Sequence, residues 1–371
     1  MINTEELIKK LINEGFTHLC VVPCSFAKNL INGSINQSKY LEYLPCASEA
    51  VACSVAAGLR LSGKRPIVVV QSSGLTNMGS CITSLLNPYE IYFPIIVSLR
   101  TYNEGDSEIQ HKHLAKCLPE LVKAYGYNYE ILVNDREKVV KQLLSSEKEK
   151  KILLLQTGFF SKVELNDQFK INLSEYPSRS EYLKSINNEF YQEKFLFIGT
   201  TGNTARELYE FMPKTLNFYM AGNMGGALSV GLGAFLSGRD VVVCGGDAEF
   251  VMHLGGLTTA ARYKSQKEGK LIYIIFDNES NKSTGGQNTY QNHISYIQLG
   301  KSLGIKCYPN IIKSISEFKT NISTWKTEKG ILLLHVKCSY DIESIRPPMN
   351  KVKESKFIFK NEDIDSKVKI N

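Results

Sequence analysis

The stretch from residue 241 to residue 287 constrains the fold more than any other part of the chain. It opens with VVVCGGDAEF, runs through an apolar segment of helical character over 250–263, and closes with LIYIIFDNESNKSTGGQ. Residues 241–243 and 271–276 are short β-branched and apolar runs. The first ends in Gly245-Gly246-Asp247 and the second in Asp277-Asn278. Strand, helix and strand at this spacing form a βαβ unit, and its two strands must run parallel. The carboxyl ends of parallel strands open into the crevice where α/β sheets hold ligands. Asp247 and Asn278 then stand on neighbouring strands. A carboxylate beside an amide oxygen is a hard-oxygen pair that suits Mg²⁺, which fills its octahedron with phosphate oxygens and water. An ordinary strand-end turn with a helix-capping aspartate is the competing reading of the same residues.

The same alternation recurs on both sides of this unit. Helices are expected over 4–14, 48–61, 114–125 and 135–146, and strands over 18–23, 66–71, 94–99 and 151–156. Residues 161–192 are polar and carry Pro177, which reads as a linker. The pattern restarts with strands at 195–198, 216–220 and 331–336 and helices at 204–211, 226–236, 295–303 and 314–327. The expectation is an α/β protein of two doubly wound parallel sheets, over 1–160 and 193–340, with a charged tail at 341–371. No repeat relates the two halves.

Composition removes several classes of function. At 371 residues, with 43% hydrophobic and 22% charged residues, the chain has the balance of a globular protein of two ordinary domains. No apolar run approaches the length needed to span a membrane. The first residues, MINTEELIKKLINEG, form a charged amphipathic helix rather than a signal peptide. The net charge of +7 is spread over scattered lysines, with no basic stripe interleaved with aromatics, so nucleic acid is not the expected partner. Nine cysteines lack paired metal spacing, and Cys20, Cys53, Cys244 and Cys338 lie in apolar runs. They read as buried free thiols of a cytoplasmic protein. No GxGxxG follows the first strand, which argues against a dinucleotide-binding oxidoreductase.

Gly246-Asp247-Ala248 followed by Asp277-Asn278 resembles the metal-binding signature of the thiamin-diphosphate enzymes. Ala248 stands for the usual glycine and Asp277 for the usual first asparagine. Further strings narrow the resemblance: Pro23-Cys24-Ser25 with Lys28, QSSGLTN over 71–77, Arg100, Gln110-His111, Thr200-Thr201-Gly202, Gly222-Asn223-Met224-Gly225 and Ser283-Thr284-Gly285-Gly286-Gln287. Together, over about residues 15–340, they resemble the phosphonopyruvate decarboxylases and their sulfopyruvate relatives. Cys24 stands where that family is expected to have an aspartate.

The resemblance implies thiamin diphosphate and Mg²⁺ as cofactors, with Asp247 and Asn278 holding the metal through side chains and Ser280 through its backbone carbonyl. Gly222, Met224, Gly246, Ala248, Thr201 and Ser283 would line the cofactor, Met224 as the apolar prop that bends it. Glu49 would contact the aminopyrimidine ring, although a first-turn acid favoured by the helix dipole is its plain alternative. Ser25, Lys28, Ser72, Ser73, Asn77, Arg100 and Gln110 would hold a small anionic 2-oxo acid, and His111 would carry a proton. Arg100 offers bidentate charge-assisted contact to a phosphonate. The implied reaction is decarboxylation of phosphonopyruvate to phosphonoacetaldehyde in phosphonate biosynthesis. The implied assembly is a homodimer or larger homo-oligomer whose active sites are shared between subunits. A sulfopyruvate or other 2-oxo acid decarboxylase, and a non-catalytic subunit of the same fold, are the rivals.

Overall fold

The structure is a computed structural model that describes residues 1–101, 108–191, 193–265, 269–339 and 344–359. The chain divides into two compact units. The first comprises Met1–Ile171 with Asn281–Thr289, and the second Asn172–Ser280 with Tyr290–Asn371.

The first unit holds a parallel sheet of β1 (His18–Val21), β2 (Glu42–Pro45), β3 (Pro66–Gln71), β4 (Ile95–Ser98), β5 (Asn128–Ile131) and β6 (Lys151–Leu155). Its order is β2-β1-β3-β4-β6-β5, so the winding direction reverses between β1 and β3. Successive residues of each strand point to opposite faces, and both faces are apolar. Leu19, Val69 and Leu153 enter one cluster, and Cys20, Val68, Val70 and Leu154 the other. That two-sided burial is why these strands read as continuous apolar runs rather than alternating ones.

The second unit repeats the design with β7 (Leu196–Gly199), β8 (Leu216–Tyr219), β9 (Asp240–Gly246), β10 (Lys270–Asp277), β11 (Lys306–Cys307) and β12 (Gly330–Lys337). The order is β11-β12-β10-β9-β7-β8, all parallel, with the reversal between β7 and β9. Val242, Ile272 and Leu334 fill one face, and Val243, Tyr273 and Leu333 the other.

Two stretches differ from expectation. Residues read as linker contain the helix Arg179–Phe190, started by a complete capping box between Ser178 and Glu181. Its Tyr182, Leu183, Ile186 and Phe190 form an apolar stripe that is fully buried in the second unit. The single helix expected over 250–263 is instead two, Asp247–Met252 and Leu254–Ala261, broken at His253 (φ −126°). Gly255 and Gly256, poor helix formers, follow the break. All nine cysteines are free thiols. Burial pushes Cys20 and Cys244 up to about 12, which leaves them inert. Among the described residues, no helix is long and apolar enough to cross a membrane.

Candidate active site

In the first unit, the polar residues gather where β1, β3 and β4 end, at the winding reversal. Glu49 is the first residue of the helix Glu49–Leu61, whose start is capped by the Ser48 side chain on the Val51 amide. The Glu49 side chain is 6% exposed, and its Oε2 accepts a hydrogen bond from Asn77 Nδ2 at 2.9 Å. A β-carbon on Gly74 would stand 2.5 Å from Glu49 Oε1, so the carboxylate occupies space that only glycine leaves open. Asn77, read from sequence as an anion contact, therefore holds Glu49. Ser73 Oγ accepts from Gln71 Nε2 at 2.7 Å. Among the described residues, neither the buried Ser72 Oγ nor Ser98 Oγ at the end of β4 has a hydrogen-bond partner.

Arg100 follows β4 and is 8% exposed. Its Nη2 donates to Ser25 Oγ at 2.7 Å and to Gln71 Oε1 at 3.3 Å, and its guanidinium lies 4.1 Å from the centre of the Phe26 ring. Among the described contacts, two neutral side chains and an aromatic face orient this cation. His111 sits on the 3₁₀ turn Ile109–His111 and is completely buried, whereas His113 is exposed. Neither ring nitrogen of His111 makes a hydrogen bond among the described residues, and Nε2 lies 3.3 Å from a Glu108 carboxylate oxygen. Gln110 Nε2 donates to the same oxygen at 2.7 Å. Lys28 is exposed.

The segment Asn281–Thr289 belongs to this first unit and is closed on itself: Asn281 donates to the Gln287 carbonyl at 2.9 Å and Gly286 to the Asn281 carbonyl at 3.0 Å. Gln287 is fully buried and donates to Asn32 Oδ1 at 2.8 Å, while Asn32 Nδ2 donates to the Val163 carbonyl at 2.8 Å. Gly285 (φ 145°) and Gly286 (φ 83°) need their missing side chains, and Gly285 packs on the Lys28 stem. Gln287 thus pins this loop to the first unit. Ser283 lies on its 3₁₀ turn, with a side chain outside the described residues.

In the second unit, β7, β9 and β10 end side by side. Asp247 and Asn278 are 3% and 8% exposed, and register pairs Phe276 with Gly246, one residue short of Asp247 and two short of Asn278. Asn278 Oδ1 accepts from the Ser280 amide at 3.1 Å. Ser280 Oγ and Thr200 Oγ1 are buried with no hydrogen-bond partner among the described residues. Buried hydroxyls left unpaired at a sheet reversal are what a bound anion would satisfy. Thr200 was missed by sequence reasoning, which favoured the partly exposed Thr201. Ala248 lies on the helix Asp247–Met252 and has no positive φ, so the family's glycine is not required there. Among the described residues, no three His, Cys, Asp or Glu side chains converge as a metal cage. A cation at Asp247 and Asn278 would thus draw further oxygens from its ligand, as Mg²⁺ does with a diphosphate.

Gly222–Gly225 forms a tight turn, with Asn223 at φ 60° and Gly225 at φ 91°. Met224 at its tip is 36% exposed, so in this chain it is not core filler. Behind the metal turn, Glu249 is fully buried. Burial pushes its carboxyl up to about 7, against hydrogen bonds from Tyr273, Ala227 and Gly246 that pull it down. Asp277 is pushed up by burial as well, but His335 (2.9 Å) and Lys337 (3.0 Å) hold it below the ordinary carboxylate range.

The chain matches two family profiles: "Thiamine pyrophosphate enzyme, N-terminal TPP binding domain" over residues 2–116, and the C-terminal TPP binding domain over 198–336. The chain belongs to the thiamine pyrophosphate enzymes. Within them it falls among the 2-oxo acid decarboxylases. It is 28% identical to the phosphonopyruvate decarboxylase of Streptomyces viridochromogenes, over 91% of this chain and 88% of that one. It is 26% identical to the sulfopyruvate decarboxylase of Methanosarcina acetivorans, over 81% of each. A sulfopyruvate decarboxylase subunit beta from Methanothermobacter thermautotrophicus is 43% identical over 34% of this chain and 66% of its own. Thiamin diphosphate is the cofactor of this family, and the unpaired hydroxyls, the Asp247–Asn278 pair and the exposed Met224 turn fit it.

Proposed function

We propose that this thiamin-diphosphate enzyme decarboxylates phosphonopyruvate to phosphonoacetaldehyde and CO₂, with Mg²⁺ as its metal, in the making of phosphonates. The observation that carries the reading is Arg100, a buried guanidinium fixed by Ser25, Gln71 and Phe26 at the end of β4. A cation oriented this way suits a doubly charged tetrahedral group better than the methyl of pyruvate. Relatives named phosphonopyruvate decarboxylase support the same substrate.

Bound thiamin diphosphate supplies the electron sink that lets the substrate carboxylate leave as CO₂. The chain's own residues do the rest. Asp247, Asn278 and the Ser280 carbonyl would hold Mg²⁺ beside the diphosphate. Thr200, Thr201, Ser283, Gly222 and Gly246 line the cofactor, and Met224 props it from the exposed turn. Glu49, oriented by Asn77, holds a proton against the aminopyrimidine ring. Arg100, Ser72, Ser73, Ser25, Lys28 and Gln110 bind and orient the anionic acid. His111, buried with Nε2 near the Glu108 carboxylate, moves a proton to or from the substrate. The enzyme works in the cytoplasm as a homo-oligomer whose subunits share active sites.

A second reading has an observation of its own: relatives named sulfopyruvate decarboxylase. A sulfonate is also tetrahedral but carries a single charge. The purified protein, supplied with thiamin diphosphate and Mg²⁺, is to be incubated with phosphonopyruvate, sulfopyruvate and pyruvate, with CO₂ and aldehyde followed together. The expected order of kcat/KM is phosphonopyruvate first. Preference for sulfopyruvate would replace the phosphonate reading.

A further inference from the structure

Glu249 lies two residues beyond Asp247 and is 2% exposed. Its two carboxyl oxygens reach different elements of the second unit. Oε1 accepts the backbone N–H of Ala227 at 3.2 Å, across 22 residues of sequence. Oε2 accepts the Tyr273 hydroxyl at 3.1 Å, from the middle of β10. Room for this carboxyl is made by Gly245, where a β-carbon would stand 2.6 Å from Oε2 and 2.7 Å from the Tyr273 ring.

Ala227 is the first residue of the helix Ala227–Leu236, and its N–H is one of those no helix can satisfy internally. A side chain at the N-cap ordinarily takes such a group. The N-cap here is Gly226, which has none, and a β-carbon there would stand 2.2 Å from Asn223 Nδ2. The turn therefore carries no side-chain cap of its own, and Glu249 supplies one from a different element. That turn is the one bearing Met224. On its other side, Gly225 is packed against the ring of His253, at the break that ends the helix begun by Asp247. The ladder between β9 and β10 runs unbroken to Gly246.

We propose that Glu249 is a positioning residue that ties the Met224 turn to the Asp247 turn, fixing the spacing between the apolar prop and the metal-bound end of the cofactor. The inference rests on assigning those two turns to thiamin diphosphate and Mg²⁺.

Three variants test it: Glu249→Met, which keeps volume but removes both acceptors, Glu249→Gln, which keeps an acceptor and the shape, and Tyr273→Phe, which removes one donor. Calorimetric titration with thiamin diphosphate at saturating Mg²⁺ gives affinity. Near-ultraviolet circular dichroism of the saturated protein reports how the cofactor is held, and melting of the cofactor-free protein reports stability separately. Glu249→Met is expected to weaken cofactor binding tenfold or more and to alter the dichroism of the saturated protein. Glu249→Gln should stay within threefold of the parent with an unchanged spectrum. If Glu249→Met does not fold, Tyr273→Phe decides, with an expected loss of threefold or more and a cofactor-free melting temperature close to the parent's. Parental affinity and spectrum in the deciding variant overturn the proposal. Absence of cofactor binding in the parent protein itself would instead sink the cofactor assignment on which the proposal rests.

Discussion

At the scale of single residues, the Glu49 carboxylate is set by what surrounds it. Oε1 lies over Gly74 and Oε2 accepts from Asn77. Gly74→Ala should therefore move the carboxylate, the flexible end of a side chain, rather than the backbone. The melting temperature is expected to hold or rise slightly, because alanine favours a helix by roughly 0.5–1 kcal/mol over glycine. Turnover should fall by roughly tenfold or more, within the range general acid–base groups contribute. Native turnover in a normally folded variant would show that the carboxylate is not required where it sits. Arg100→Ala should weaken phosphonopyruvate far more than pyruvate, by about 2–5 kcal/mol in kcat/KM, the usual effect of losing a desolvated charge-assisted contact. Equal losses for both acids would take Arg100 out of the substrate site. Glu49, Asp247 and Asn278 stand out as candidates in the sequence because their neighbours form recognisable strings. Glu249 and Thr200 do not. A buried acid two residues into a helix reads like any first-turn acid, and only burial shows which of two adjacent threonines faces inward. Asn77 was legible as polar, but its partner lies 28 residues away with no periodic signal to link them.

At the scale of elements, buried strands announced themselves and exposed ones did not. β3 and β10 are apolar nearly throughout, whereas the edge strands β2 and β5 are half exposed and β11 has only two residues. Without an apolar run there is little to read. The helix Arg179–Phe190 was hidden differently, by charged residues at its start: Glu181 completes its capping box and Arg179 pairs with Glu207. Ser178→Ala should cost about 1 kcal/mol, as loss of an N-cap typically does. The Glu181 half of the box is pH-dependent. Hydrogen bonds from the Ser178 amide and hydroxyl hold its carboxyl below the ordinary range. A depressed folded value means that the contribution is present above the unfolded carboxylate range and disappears as pH falls through the folded value. Melting curves between neutral and acid pH should show the parent losing more stability than Glu181→Gln. Parallel curves would mean that the carboxylate's charge is irrelevant to the cap.

At the scale of the whole molecule, the proposed homo-oligomer with shared sites makes a test that no monomeric enzyme can pass. Glu49→Gln should bind cofactor but lose most turnover, and Asp247→Ala should lose metal-dependent cofactor binding. Each homo-oligomer is then inactive at every site. Mixed under conditions that exchange subunits, the two should recover part of the activity, because in a heterodimer one site carries both lesions and the other neither. Heterodimers identified by native mass spectrometry yet inactive would end the shared-site proposal.

The loop Asn281–Thr289 carries a consequence for anyone who would take this enzyme apart. The polypeptide changes unit three times, at 171/172, 280/281 and 289/290. No single cut in the gene reproduces the two units: a fragment ending at Ile171 gives up Gln287, which donates to the buried Asn32. Dissecting the protein into independently expressed parts therefore calls for a graft, with the nine-residue segment Asn281–Thr289 rejoined to the first piece and the gap at Ser280 and Tyr290 bridged in the second.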